Sequence, residues 1–159
     1  MLDVEIVCIG KLKQDFLRNG CAEYLKMLGA YAKVSVIELP ETKISGNGDA
    51  AIKKVVDEES KSILQYIGNK RAAVVAMCID GKKFSSGDVA DFLAKTSQIN
   101  SHIVFVIGGS HGLSKDFTDS ADVRMSMSDM TFPHQLARLM LLEQLYRAFS
   151  INANAKYHK

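Results

Sequence analysis

Two short stretches hold most of the residues able to do chemistry. Gly108-Gly109-Ser110-His111-Gly112 follows the apolar run at 102–107, and Asp129-Met130-Thr131-Phe132-Pro133-His134 follows a second run at 123–128. The glycine stretch admits three readings. As Gly-x-Ser-x-Gly behind a strand it has the pattern of a nucleophile elbow, with Ser110 attacking, Asp116, Asp119 or Asp129 as the acid, and His134 or His158 as the base. The short chain and the want of a long helix after Ser110 count against that chemistry. As a run of missing side chains, it lets the backbone turn tightly between strand and helix. The same bareness lets backbone N–H and C=O groups touch a flat, uncharged ring such as adenine. Dinucleotide and triphosphate chemistry lose their support, because the stretch is not Gly-x-Gly-x-x-Gly and Gly112 is followed by Leu113-Ser114 instead of Lys-Ser/Thr.

His134 follows Pro133 at a first-turn position, where the helix dipole disfavours a protonated imidazole. It is a candidate neutral acceptor, or equally a helix-end packing residue. Arg138 lies one turn on, on the same face, placed to hold a phosphate or a carboxylate. Glu143 and Arg147 are spaced i, i+4 on roughly the opposite face and read as a salt bridge. Cys8, Cys21 and Cys78 are odd in number, widely spaced and set in apolar or helical surroundings, which fits reduced, buried thiols and no metal site.

These residues need elements to place them. Periodicity predicts strands at 3–10, 33–39, 72–79, 102–107 and 123–128, the third a continuous apolar run typical of a strand covered on both sides. Helices are expected at 15–28, with Phe16, Ala22, Leu25 and Leu28 near helical spacing, and at 50–67. In that second helix Ile52, Val55, Val56, Ile63, Leu64 and Ile67 form one face, and Lys53, Lys54, Asp57, Glu58, Glu59 and Lys61 a solvated one. Further helices are expected from 85–88 to 96, at 113–121 and at 133–150, with a loop over 41–49 around Ser45-Gly46-Asn47-Gly48. Alternating strands and helices give an α/β fold, a mostly parallel sheet flanked by helices. Ligands in such sheets bind beyond the carboxyl ends of strands, which here means after Ile79, Ile107 and Ser128. The helix over 133–150 carries Leu136, Leu139, Met140, Leu142, Leu145 and Phe149 over more than one face, so a symmetric homodimer through it is expected.

The 159 residues are most simply one domain, 1–159, able to bury roughly two thirds of the unfolded surface without disulfides. The apolar start at 4–9 is too short for a signal segment or membrane span and carries Asp3 and Glu5 where a basic region belongs, so a cytoplasmic protein with no membrane partner is expected. Net charge is +2, too mild for a grip on naked nucleic acid through phosphates alone. Any RNA partner must then be recognised through shape or a larger assembly.

Phe105-Val106-Ile107-Gly108-Gly109-Ser110-His111-Gly112, the segment from Met125 to His134, Leu145-Tyr146-Arg147-Ala148-Phe149 and Tyr157-His158-Lys159, with Gly10-Lys11-Leu12-Lys13 near the start, together resemble the bacterial RlmH-type methyltransferases of the SPOUT class. The resemblance covers essentially the whole chain. It implies methylation of N3 of a pseudouridine in 23S ribosomal RNA with S-adenosylmethionine, a C-terminal trefoil knot within about 102–159, and a homodimer that completes the active site. General topology rules would have argued against a knot. The implied cofactor contacts are Met77, Gly108, Met127, Ser128, Asp129, Met130, Thr131 and Phe132. Family members often carry Leu at the first and third of these positions, and Met is close in volume and more flexible; the alternative is that both are ordinary core methionines. The implied catalytic group is His134, Arg138, Tyr157 and His158. The tail folds over the active site, with Tyr157 stacking on a base and His158 or Lys159 reaching a phosphate or the reacting nitrogen. Candidate general bases are His134, Glu143, Tyr157 and His158. The mild charge points to the assembled ribosome as substrate. Two other functions fit the residues: a Ser110 hydrolase and a non-catalytic, dimeric ribosome-binding module.

Overall fold

The computed structural model describes residues 1–159. In chain order the elements are β1 Asp3–Ile9, α1 Asp15–Leu28, β2 Lys33–Leu39, α2 Asp49–Ile67, β3 Ala73–Lys83, α3 Ser86–Thr96, β4 His102–Ile107, α4 Lys115–Ser120, β5 Val123–Ser126 and α5 His134–Asn152. One five-stranded sheet runs β2-β1-β4-β3-β5, and every pairing is parallel. Parallel neighbours need crossovers, which the intervening helices supply.

Side chains alternate across the strands and so build two cores. Val4, Ile6 and Cys8 of β1 and Ile103, Phe105 and Ile107 of β4 face the layer of α1, α3 and α5, where Leu28, Leu93, Leu141, Leu142 and Leu145 are buried. Val7, Ile9, Val104 and Val106 face the other layer and meet Ile63 and Ile67 of α2 and Phe117 of α4. Each such fully buried side chain contributes about 1.5–3 kcal/mol of burial free energy. No helix is long and apolar enough to cross a membrane.

Three elements depart from the expected pattern. β3 continues past Ile79 to Lys83, with its register against β5 jumping between Met77 and Lys82. The bulge lets backbone cross backbone: a Cβ on Gly81 would stand 2.8 Å from the carbonyl carbon of Arg124. In α1 the buried positions are Leu17, Cys21 and Leu28, while Phe16 is exposed and Ala22 faces solvent. In α2 the buried face is turned from the expected one. It takes in Val55, Glu59, Ser60, Ile63 and Ile67, and leaves Leu64 exposed. Glu59, expected among the solvated charges, is only 2% exposed.

Candidate functional site

The carboxyl ends of β4, β3 and β5 open into one cavity of about 1010 Å³. Its walls come from the β3 bulge (Met77 to Asp80), the glycine turn after β4 (Ile107 to Leu113), and the segment from Met125 through Ser128 and from Met130 to His134. Gly108 is required by contact, since a Cβ there would lie 2.7 Å from the carbonyl carbon of Gly112. The chain doubles back so tightly that Gly109 and Gly112 pair as an isolated bridge. After β5, Ser126 Oγ donates to the Ser128 carbonyl at 3.0 Å, and the Met130 N–H donates to Ser128 Oγ at 3.0 Å, which shapes the turn. Apolar walls from Met77, Ile79, Ile107, Leu113, Met127 and Phe132, beside bare glycine backbone, suit a flat ring without charge. Ionisable side chains on the wall are confined to Cys78, Asp80, His111, Lys115 and His134. No group of three or more His, Cys, Asp or Glu side chains could hold a metal ion.

Seven of the eight residues implied as cofactor contacts line this cavity: Met77, Gly108, Met127, Ser128, Met130, Thr131 and Phe132. Asp129 does not. Its side chain turns outward to Lys83 Nζ at 2.6 Å, because the Ser128 turn carries the next residue away from the cavity. Cys78, expected buried, is half-buried in the wall, and burial pushes its thiol up, with Asp80 adding to the shift.

His134 lines the cavity at the start of α5. Its pKa lies below the ordinary imidazole value, chiefly through burial; Arg138 and Lys13 add to the drop and Glu41 opposes it. Burial, more than the helix dipole, is what favours the neutral ring.

Arg138 requires a correction. Its side chain is 3% exposed and stands outside the cavity wall. Nη1 donates to Glu38 Oε2 at 2.7 Å and Nη2 to the Gly10 carbonyl at 3.0 Å, while Nε has no partner. With the Lys13 N–H donating to Gln135 Oε1 at 2.9 Å, these bonds tie the start of α5 to the turn after β1. The guanidinium is engaged with Glu38 and Gly10 of the protein itself, apart from the cavity.

Tyr157 and His158 also stand away from the cavity of their own chain. Tyr157 Oη donates to Glu143 Oε2 at 2.9 Å and lies 3.3 Å from Tyr24 Oη. Its ring meets Tyr146 edge-on at 4.8 Å, and Arg147 sits over it at 4.9 Å. Arg147 Nη1 donates to His158 Nδ1 at 3.1 Å. From His134 to Glu143 the helix climbs about 14 Å, which separates the tail cluster from the cavity. The Tyr24 hydrogen bond, burial and Glu143 raise the Tyr157 pKa far above the ordinary value, which favours the protonated phenol. Burial would raise the Glu143 carboxyl, but hydrogen bonds from Arg147 and Tyr157 outweigh it and hold the pKa below the usual range. The expected Glu143–Arg147 salt bridge is present at 2.6 Å.

The elbow reading of Ser110 fails on geometry. Ser110 is exposed on a doubled-back turn, the helix beyond it spans only Lys115–Ser120, and two of its three candidate acids are engaged elsewhere. Asp119 pairs with Lys115 and Arg124, and Asp129 with Lys83. Asp80 stands on the wall directly after Ile79, as expected; the residues that sequence reasoning missed are Lys115 and Thr118 on the wall and Glu59 behind it, brought there by the packing of α4 and α2.

Residues 2–158 match the family described as "Predicted SPOUT methyltransferase". The chain is similar to proteins named "Ribosomal RNA large subunit methyltransferase H" from Bacillus thuringiensis (strain Al Hakam) and Bacillus anthracis, each 46% identical over 160 residues, covering 99% of this chain and 100% of the relative. Among solved structures, "a probable methylase family protein from Haemophilus influenzae Rd KW20" superposes with a TM-score of 0.57 at 13% identity, covering 98% of this chain and 70% of that one, a likeness of fold.

Proposed function

The chain belongs to the SPOUT methyltransferase family, and from that premise we propose that it methylates large-subunit ribosomal RNA with S-adenosylmethionine, at N3 of a pseudouridine in the 23S RNA of the assembled ribosome. One observation carries the reading: a single apolar, glycine-edged cavity stands where three parallel strands end. Ligand sites commonly span about 300–1,000 Å³. At about 1010 Å³ this one has room for the donor and an approaching base.

When bound, the cofactor supplies an electrophilic methyl group on a sulfonium sulfur. The rest falls to this chain's residues. Met77, Met127 and Phe132 would pack the adenine faces, and the bare backbone around Gly108 would meet its edge. Such placement does most of the work in a displacement that needs nitrogen, carbon and sulfur in line. His134, neutral and on the cavity wall, is the group best placed to take the imide proton from N3 onto a ring nitrogen. Tyr157 and His158 reach a cavity only from a second copy, so we place the active site of a homodimer at the junction of one chain's cavity with its partner's tail. Tyr157 there acts as a stacking surface, and His158 as a contact to a phosphate or the reacting nitrogen. The half-exposed Leu136, Leu139 and Met140 of α5 support that pairing. The family's trefoil knot, within about 102–159, is part of the same reading; residues 81–84 cross 124–126 closely, and the Phe84 N–H reaches the Ser126 carbonyl at 3.2 Å. A cytoplasmic location follows from a ribosomal substrate.

Calorimetry with S-adenosylmethionine, followed by mass spectrometry of ribosomal RNA from cells with and without the protein, tests the assignment. A methylated pseudouridine that vanishes with the protein is the expected result. Absence of cofactor binding, or unchanged RNA, overturns it.

A further inference from the structure

The glycine turn of the cavity is held from behind by two adjacent buried polar residues of α2. Glu59 and Ser60 are 2% and 3% exposed, in a helix whose charges were expected to face water. Glu59 Oε2 accepts the Thr42 N–H at 2.9 Å, while Oε1 has no hydrogen-bond partner. That free oxygen lies against the turn: a Cβ on Gly109 would stand 2.8 Å from it and 3.2 Å from Ile9 Cγ2. At the far end of the turn Ser60 Oγ accepts the Ser114 N–H at 2.9 Å, and Ser114 Oγ in turn caps α4 by accepting the Phe117 N–H at 3.1 Å. One turn of α2 thus touches both ends of the loop that edges the cavity.

We infer that Glu59 and Ser60 are positioning residues for the donor pocket, a clamp that sets the path of residues 108–114 by contact at Gly109 and a hydrogen bond at Ser114. Gly109 then lacks a side chain because the carboxyl of Glu59 occupies that space, a reason separate from any contact with an adenine ring. Burial raises the Glu59 pKa, with Glu41 adding to the shift and the Thr42 N–H and His111 opposing it. An amide of the same shape keeps the volume against Gly109 and an oxygen for the Thr42 N–H, so it should serve in its place.

The role in donor binding rests on the reading of the cavity above, so the test keeps the two apart. Amide hydrogen exchange is followed in the cofactor-free protein, and S-adenosylmethionine affinity is measured by calorimetry, for the unaltered chain, E59Q, E59A, G109A and E59A/G109A. Exchange at residues 108–114 should quicken at least about tenfold in E59A and stay within about twofold of the unaltered chain in E59Q, with β1 amides unmoved. Affinity should fall about tenfold in E59A and in G109A, recover in E59Q, and fall no further in E59A/G109A than in E59A, because the added methyl fills the space that the carboxyl left. Unchanged exchange at 108–114 in E59A overturns the clamp, as does a lower melting temperature with intact affinity. An unaltered chain that binds no cofactor overturns the methyltransferase reading instead, and the exchange pattern still decides the clamp.

Discussion

His134 owes its neutrality mainly to burial, and the sign of its pH dependence follows. With the folded pKa below the unfolded value of about 6.5, folding favours the neutral ring. The contribution to stability is present above pH ~6.5 and is lost as pH falls through the folded value. Thermal melts of the unaltered chain should therefore decline on the acid side of 6.5, and His134→Gln should flatten that decline. If His134 takes the substrate proton, the acid limb of the methylation rate also lies below pH 6.5; a limb at or above 6.5 removes it as the base. Arg138 makes a stability prediction instead. Removing its guanidinium strands Glu38, whose side chain is 35% exposed. Arg138→Ala should thus cost about 2–3 kcal/mol, less than the 3–5 of a fully buried pair. Denaturant midpoints measure that loss, and calorimetry should find cofactor affinity within about threefold. A tenfold loss of affinity at unchanged stability would restore the ligand-binding role expected from the sequence.

Among the elements, α5 links the cavity to the tail. Its first turn is bolted to the turn after β1 by Arg138 and Gln135, and its far half carries Glu143, Tyr146 and Arg147, on which Tyr157 rests. Deleting residues 157–159 should abolish methylation while leaving S-adenosylmethionine affinity within about twofold, because no cavity wall is lost. Wild-type turnover of the truncated protein on ribosomes would remove the tail from the mechanism. The β3 bulge is the second working element. Its register jump falls where Met77 to Asp80 join the cavity wall.

At the scale of the molecule, the proposed site draws on two ends of a long helix, and a symmetric dimer would join them. Sedimentation at micromolar concentration should show a dimer. A mixture of two inactive variants, His134→Gln and the 157–159 deletion, should recover part of the activity, since one of the mixed dimer's two sites is then intact. A monomer, or no recovery, removes the shared site. The sequence by itself determined the kinds and order of the elements and the three strand ends that make the cavity. Those signals are local: a period of two or 3.6, and small residues where a strand stops. Tertiary structure decided the rest. Arg138 meets Glu38 across 100 residues of chain, Glu59 turns inward under Gly109, and the tail settles on α5 away from its own cavity. Each outcome depends on which distant segments pack together, and a polar residue on a helix carries no local mark of whether its neighbour in space will be water or another segment of the chain.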